Sequence, residues 1–244
     1  MVGLLAGLVG FAPARWLADA VALASNHQIV LANARGTVWQ GSAQLVFSGG
    51  QGSSDAVVLP GAVQWQLQPR WGSLAAQFSA DCCTTQALQL AAAPLGWGGV
   101  RMTLSDSESQ WPAGLLTGLG TPWNTMQPLG QLALSSKALG VDWAQGRTSL
   151  SGSFQLDATG ISSRLSTLQP MGSYRLTLRG GASASLQLET LDGTLQLSGK
   201  GQWLGQSLRF EGVASAAENR VEALSNLLNI IGRRDGARSI IKVG

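Results

Sequence analysis

The stretch Val63-Gln64-Trp65-Gln66-Leu67-Gln68 decides the fold class, because apolar and polar side chains alternate in it at every step. Alternation with a period of two places all the apolar side chains on one face of an extended strand and all the glutamines on the other. The stretch therefore predicts a β-strand with one buried face and one solvated face.

Similar runs recur from His27 onward, and turn-forming residues separate nearly all of them. Short strands joined by such turns predict an all-β, mainly antiparallel fold, built as a long curved sheet or as an open sandwich or groove. The dipeptide Asp192-Gly193 is typical of a two-residue hairpin turn. The predicted strands are 44–47, 56–59, 63–68, 74–80, 87–93, 100–104, 132–136, 150–156, 174–178, 185–188, 194–197, 208–213 and 239–243.

Two segments depart from this alternation and predict helices. The apolar segment 112–119 predicts a short mid-chain helix, which a following Gly and Pro would end. Near the C-terminus, Ser215 and Glu218 have the spacing of a capping box, and Gly232 stands at the C′ position that favours glycine. Between them, apolar residues fall at helical intervals at positions 221, 224, 227, 228 and 231.

The N-terminal segment is apolar without a break from Met1 to Ala12, and Pro13, Arg15 and Trp16 follow. This run is shorter than the roughly 20 residues of a membrane-spanning helix, and no basic residue precedes it as in a signal peptide. Three explanations fit: a start site lying further upstream, a helix that continues towards Ala24, or an amphipathic interfacial helix. We expect residues 1–25 to form a transmembrane or membrane-proximal helix.

The remaining residues, 26–244, are expected to form one periplasmic β domain. Trp-Gly pairs recur before alternating strands, as in Trp39-Gln40-Gly41, Trp143-Ala144-Gln145-Gly146 and Trp203-Leu204-Gly205. A long hydrophobic stretch separates the first of these motifs from the other two. Two related halves that meet near residues 110–128 are therefore an alternative organisation.

The composition excludes several classes of function. Charged residues make up only 12% of the chain and the formal net charge is +3, which argues against nucleic-acid binding. The single histidine, His27, has no partner for a catalytic triad or for a zinc site with about four ligands. No phosphate-binding loop or dinucleotide fingerprint is present. We therefore predict no catalytic residues, no bound metal and no cofactor.

The two cysteines, Cys82 and Cys83, are adjacent in the chain. Two interpretations stay open: a pair of small residues at a turn, or a vicinal disulfide formed in an oxidising compartment. The nine tryptophans are interpreted mainly as packing groups at hairpin edges, with sugar stacking as the weaker alternative.

Several stretches, taken together and in order, resemble the type II secretion system protein N family. They extend along nearly the whole chain, and the short apolar N-terminus is the point at which this sequence departs from the family. The stretches are Pro13-Ala14-Arg15-Trp16-Leu17, Ala34-Arg35-Gly36-Thr37-Val38-Trp39-Gln40-Gly41-Ser42-Ala43, Leu165-Ser166-Thr167-Leu168-Gln169-Pro170-Met171-Gly172-Ser173-Tyr174-Arg175-Leu176 and Leu227-Leu228-Asn229-Ile230-Ile231-Gly232-Arg233-Arg234-Asp235-Gly236.

The resemblance implies a non-enzymatic, single-pass inner-membrane protein of a Gram-negative bacterium with its body in the periplasm. Its partners would be other subunits of the apparatus that exports folded proteins across the outer membrane, and the inner membrane itself. The residues that we single out for structure or assembly are Trp39, Gly41, Pro170, Gly172, Tyr174, Gly232 and Gly236.

An alternative function starts from a second likeness. The β-rich body with a terminal helix is similar to AsmA-type envelope proteins, which implies a periplasmic β-groove that binds or bridges lipid. The two hypotheses differ in the inner face of the sheet. A closed, filled interior favours a scaffold that works by protein contact, whereas an open apolar groove favours lipid.

Overall fold

The computed structural model describes residues 10–96, 98–205, 207–217 and 220–244. Nearly all of the regular structure in these residues is β-strand, with three α-helices and one 3₁₀-helix (η1). In chain order the elements are α1 (Ala14–Ala24), β1 (Ile29–Gly36), β2 (Gln40–Ser48), β3 (Ala56–Val58), β4 (Val63–Arg70), β5 (Ser73–Ala80), β6 (Leu88–Pro94), β7 (Val100–Leu104), β8 (Ser107–Pro112), η1 (Ala113–Leu119), α2 (Trp123–Met126), β9 (Leu129–Ala144), β10 (Arg147–Ser162), β11 (Gly172–Arg179), β12 (Ser185–Gly193), β13 (Leu195–Leu204), β14 (Ser207–Ala216), α3 (Val221–Ile231), β15 (Arg233–Asp235) and β16 (Arg238–Val243).

All sixteen strands belong to one sheet, and every pair is antiparallel. The strand order is β1-β2-β4-β5-β6-β7-β9-β10-β11-β12-β13-β14-β16-β15, while β3 pairs with β2 and β8 with β9. Neighbours in the sheet are thus mostly neighbours in sequence. The prediction of an all-β, antiparallel fold with few helices is confirmed.

The sheet is continuous across the predicted boundary near residues 110–128, which holds η1 and α2. Strands β9 and β10 are each 16 residues long and join the two sides. Their pairing register shifts at Ala138 and Gly152, which face each other with φ values of 47° and 74°. A β-bulge of this kind re-aims a strand without ending it. The idea of two related halves stays a prediction.

The register gives the sheet one apolar and one polar face. Trp65 pairs with Phe78, and Leu176 lies between Leu156 and Leu188 in a cross-strand row. We call the face that carries these side chains the apolar face. The glutamines of β4 point to the opposite, polar face, as their alternation requires.

Three small cores cover parts of the apolar face. The first lies under α1 and contains Ala14, Ala43 and Trp65. The second lies under η1 and contains Leu59, Ala80, Cys83 and Leu115. The third lies under α3 and contains Met171, Tyr174, Leu195, Ala214, Leu224, Leu227 and Leu228. Each buried Leu in these cores contributes about 1.5–3 kcal/mol to folding, so the helices are held by their apolar sides.

The predicted start of the C-terminal helix is wrong. Ser215 does not cap a helix, because it lies within β14 and pairs with Gln196 and Arg238. Helix α3 begins at Val221, after Arg220, without a side-chain cap. Glu218 lies outside the described residues. Sheet pairing on both sides satisfies the backbone of Ser215 more completely than a cap would.

The turn predicted at Asp192-Gly193 is also wrong. Both residues continue β12, where they pair with Ser173 and Gly172 of β11. The β12–β13 ladder ends at Glu189 and Ser198, so the connection beyond it is wider than a two-residue turn. Thr190 bridges that connection, since its hydroxyl accepts from Leu197 N at 2.6 Å.

The N-terminal segment is described only from Gly10 onward. Helix α1 spans eleven residues, Ala14–Ala24. Among the residues from Gly10 to the C-terminus that are described, no helix has both the length and the apolar character needed to cross a bilayer.

Candidate functional site

The middle of the apolar face carries no second layer. Leu74, Leu90 and Met102 expose 38%, 37% and 49% of their surfaces there. Further along, Leu176 is only half-buried, whereas the interior of a closed sandwich would bury it fully. Contiguous exposed apolar surface of this kind on a protein marks a binding site for an apolar partner.

The strands keep their charges on the polar face. Arg101 Nη2 lies 2.6 Å from Asp142 Oδ2, and Arg175 Nε donates to Asp157 Oδ1 at 2.7 Å. The hydrogen bonds from the two guanidiniums lower the pKa of Asp142 and of Asp157 below the ordinary value. A third pair joins Lys242 to Glu211 at 3.0 Å. Between β2 and β14 the register therefore leaves the apolar face free of charged side chains.

The described residues offer no metal centre, since no three His, Cys, Asp or Glu side chains come together in them. Two depressions, of about 470 and 1350 Å³, lie over the two ends of the sheet. The larger one is bordered by Glu189, Lys200, Glu211 and Lys242, of which the last two form the ion pair already described. Neither depression is lined by a histidine or a cysteine.

The predicted residues Trp39 and Gly41 lie at the first hairpin, between β1 and β2. The carbonyl of Trp39 accepts a hydrogen bond from Leu67 N at 2.6 Å, and its ring is half-buried. Gly41 faces Trp65 across the sheet, and Trp65 Nε1 donates to the carbonyl oxygen of Val38 at 3.1 Å. The tryptophan that closes this hairpin is therefore Trp65, which the sequence reasoning treated only as one step of an alternating strand.

Pro170, Gly172 and Tyr174 lie together at the start of β11. The peptide bond before Pro170 is cis. A Cβ on Gly172 would lie 2.8 Å from Tyr174 Oη, so the phenol folds back over the glycine. Tyr174 is only 7% exposed, and burial raises its pKa above the ordinary value. Within the described residues its hydroxyl has no hydrogen-bond partner.

Gly232 and Gly236 flank the short strand β15. Gly232 is not a left-handed C′ glycine as predicted, because its φ and ψ are −170° and −171°. It is extended, and a Cβ there would lie 2.9 Å from the carbonyl carbon of Ile240. Gly236 turns the β15–β16 hairpin with a φ of 59°. The seven predicted residues thus form two separate groups, at the first hairpin and around the C-terminal core.

Cys82 and Cys83 lie in the turn after β5, and their sulfur atoms are 2.03 Å apart. Cys83 is buried at 6% exposure in the core under η1, whereas Cys82 is exposed. The turn is fixed by Thr84, whose hydroxyl accepts from Ala80 N at 2.9 Å.

Sequence reasoning missed a second aromatic–glycine pairing at the far end of the sheet. Phe210 of β14 faces Gly201 of β13, and its ring also lies against Gly199 and Gly212. Phe210 is 7% exposed, and it belongs to none of the three cores. The three glycines near one aromatic were the available signal, because a bare glycine in a strand is often covered by a neighbouring ring.

Comparison with known proteins gives a match that covers most of the chain. A model of the family described as type II secretion system (T2SS), protein N, matches residues 27–241. No curated protein and no solved structure gives a significant match. The matched range begins after α1 and includes every strand of the sheet except the last two residues of β16.

Proposed function

The chain belongs to the type II secretion system protein N family, and from that premise we propose that it is a non-enzymatic component of the secretion apparatus. It is anchored at the inner membrane through its N-terminal segment, with the sheet in the periplasm. It supports the export of folded proteins across the outer membrane by binding partners rather than by chemistry.

The observation that carries this proposal is the family match across residues 27–241. The uncovered apolar face is consistent with a part of a larger assembly, because large exposed apolar surfaces on soluble proteins mark binding sites. In addition, six charged side chains of the strands form three ion pairs, and all three lie on the polar face.

Two other parts of the protein, the C-terminal edge strand and helix α3, present less surface for binding a partner. Strand pairing at the C-terminal edge of the sheet is limited, since β15 has only three residues. Helix α3 buries Leu224, Leu227 and Leu228 against the sheet, and its exposed large apolar residue is Ile230. We propose that the protein binds its partner through the apolar face, which is exposed at Leu74, Leu90 and Met102.

The proposal is tested by isolating the tagged full chain from crosslinked cell envelopes of a strain with an active type II system. Mass spectrometry should then identify other secretion subunits among the crosslinked proteins. In parallel, deletion of the gene should reduce export of a folded substrate, and the intact gene should restore it. A deletion strain that secretes normally, together with envelopes that yield no secretion subunit, contradicts the proposal.

A second candidate function is lipid binding, and the absence of a covering layer over Leu90, Met102 and Leu176 favours it. Acyl chains would pack along the apolar face, in the place that a protein partner would otherwise occupy. Native mass spectrometry of the purified full chain should detect phospholipid. A Met102→Glu variant should lose that lipid, whereas Thr103→Glu, on the polar face of the same strand, should retain it. Protein that carries no lipid in either form contradicts this candidate.

A further inference from the structure

Three successive hairpins turn at the same end of the strands. We name this side of the sheet the hairpin edge. Its connections are β4–β5, β6–β7 and β9–β10. Pro69 and Val141 belong to the same cross-strand row, and Trp71 and Trp143 each lie two residues beyond that row in the same direction. The two tryptophans therefore stand at the same height on the same edge.

Large apolar side chains point into solvent along the hairpin edge. Trp71 is fully exposed, Trp143 is 50% exposed and Val100 is 40% exposed. A tryptophan that packs on nothing leaves a large apolar surface in water. Tryptophans in this state are typical of surfaces that sit at the boundary between a lipid bilayer and water, where the ring is buried and its N–H stays wet.

The charged residues in the three turns of the hairpin edge are all basic. Arg70 and Arg147 are exposed beside Trp71 and Trp143, and residues 69–74, 94–100 and 143–148 include no Asp or Glu. Asp142, just before the third connection, is engaged by Arg101 at 2.6 Å. The opposite edge carries carboxylates at Asp55, Asp81, Asp192 and Glu222 beside Arg164, Arg220 and Arg238, so its charges have both signs. This distribution favours an anionic surface against the hairpin edge.

The N-terminal segment enters the fold at this end of the sheet. The carbonyl of Ala12 accepts from Val38 N at 2.8 Å, and Pro13 pairs with Thr37. Helix α1 then runs towards the opposite edge, where the hydroxyl of Ser25 meets Ile29. The first described residues thus lie on the side of the hairpin edge.

Exposed apolar surface continues on the first described residues. Phe11 is 82% exposed and Trp16 is 47% exposed, with the exposed Arg15 between them. Aromatic rings beside arginine thus occur both on this segment and on the hairpin edge.

We propose that the hairpin edge lies against the headgroups of an anionic lipid bilayer, with Trp71 and Trp143 in the interfacial layer and Arg70 and Arg147 on the lipid phosphates. The proposal rests on the membrane anchoring proposed above and specifies which side of the sheet faces the membrane. The strands then stand with their opposite ends, and the carboxylates there, away from the bilayer.

The test uses the full chain reconstituted in phosphatidylglycerol vesicles, without any other secretion subunit. p-Benzoylphenylalanine replaces Trp71 in one protein and Leu191 in a second, matched control. Leu191 is also an exposed apolar residue, at 45%, but it lies on the opposite edge. After irradiation, mass spectrometry should find lipid adducts at position 71 and not at position 191. Arg70→Gln with Arg147→Gln should reduce the adducts in phosphatidylglycerol more than in phosphatidylcholine vesicles.

Each outcome separates this proposal from the one on which it rests. Protein that floats with the vesicles but forms adducts equally at both positions, or only at position 191, overturns the membrane-facing edge and leaves anchoring intact. Protein that does not float with the vesicles overturns both anchoring and the proposed edge. The recovery of secretion subunits from crosslinked envelopes is measured separately and does not depend on either result.

Discussion

The indole of Trp65 fills the space that a side chain on Gly41 would occupy: a Cβ there would lie 2.8 Å from Trp65 Cε2. The two residues face each other across β2 and β4 on the apolar face. Phe210 and Gly201 repeat the arrangement between β14 and β13. Near each end of the sheet, an aromatic ring thus packs over a glycine and fills the space that a side chain there would occupy.

Gly41→Ala should destabilise the protein, because the added methyl group overlaps the ring of Trp65 and forces the indole or the strand to move. We expect a loss of about 1–3 kcal/mol in the free energy of unfolding, as for other overpacked sites. Urea denaturation followed by tryptophan fluorescence measures it. Gly114→Ala is the control, since its nearest neighbouring atom would be Pro128 O at 3.9 Å. Equal stability of the two variants would refute the account of Gly41.

The two glycines around β15 should respond differently to substitution. Gly236 has a positive φ and open space around it, so Gly236→Ala should cost about 1–2 kcal/mol and Gly236→Asn less. Gly232 is extended but touches Ile240, so Gly232→Ala and Gly232→Asn should both be destabilising. Thermal unfolding of the four variants measures this. Rescue of position 232 by Asn would show that conformation, not space, requires glycine there.

Tyr174→Phe should leave the protein as stable as before or raise its free energy of unfolding by about 1 kcal/mol, because a buried hydroxyl without a partner is removed. Burial raises the pKa of Tyr174 in the folded state, and only the unfolded chain ionises near the ordinary value of about 10. Stability is therefore fully present below that pH and falls above it.

The Phe variant should lose the part of this alkaline fall that belongs to Tyr174. Denaturation curves measured at neutral and alkaline pH, for the natural and the variant protein side by side, test the sign. Tyr174 is the only tyrosine of the chain, so tyrosinate absorbance reports it directly. Absorbance that rises near pH 10 while the protein is still folded would mean that the phenol reaches water.

Cys82 and Cys83 pair with each other in a disulfide bond, and this bond should be found in protein isolated from an oxidising compartment. Thiol titration of the denatured protein should find no free thiol before reduction and two after it. Cys82→Ser should expose one reactive thiol, at the buried Cys83, only on unfolding. Two free thiols in unreduced, denatured protein would show that the cysteines are not bonded to each other and serve only as small residues at the turn.

The strand pattern could be predicted from the sequence because local alternation decides it. Val63–Arg70 is a strand, as its alternating Val, Trp and Leu indicate, and the final strand Arg238–Val243 agrees with its prediction to within one residue. The helix Val221–Ile231 was likewise visible in its apolar spacing. In each case the signal lies within a single element and does not depend on its neighbours.

The misses come from pairing between strands, which no single segment reveals. Asp192-Gly193 has turn chemistry, but its neighbours in β11 hold it in the sheet. Ser215 is a residue type that often caps helices, but its backbone pairs with the strands on both sides of it. The importance of Trp65 likewise depends on Gly41, which lies on another strand. Strand β8 went unpredicted because Ser107–Pro112 pairs with β9 without a strong alternation of its own.

The most direct test of the account is photo-crosslinking in cells that secrete through the type II system, with p-benzoylphenylalanine at Met102 or at Thr103. The two positions are adjacent in β7 and point to opposite faces, and both are exposed. The account predicts that position 102 forms crosslinks to a secretion subunit, and that position 103 does not. Crosslinks from position 103 alone, or none to any secretion subunit from either position, would contradict the apolar face as the binding surface.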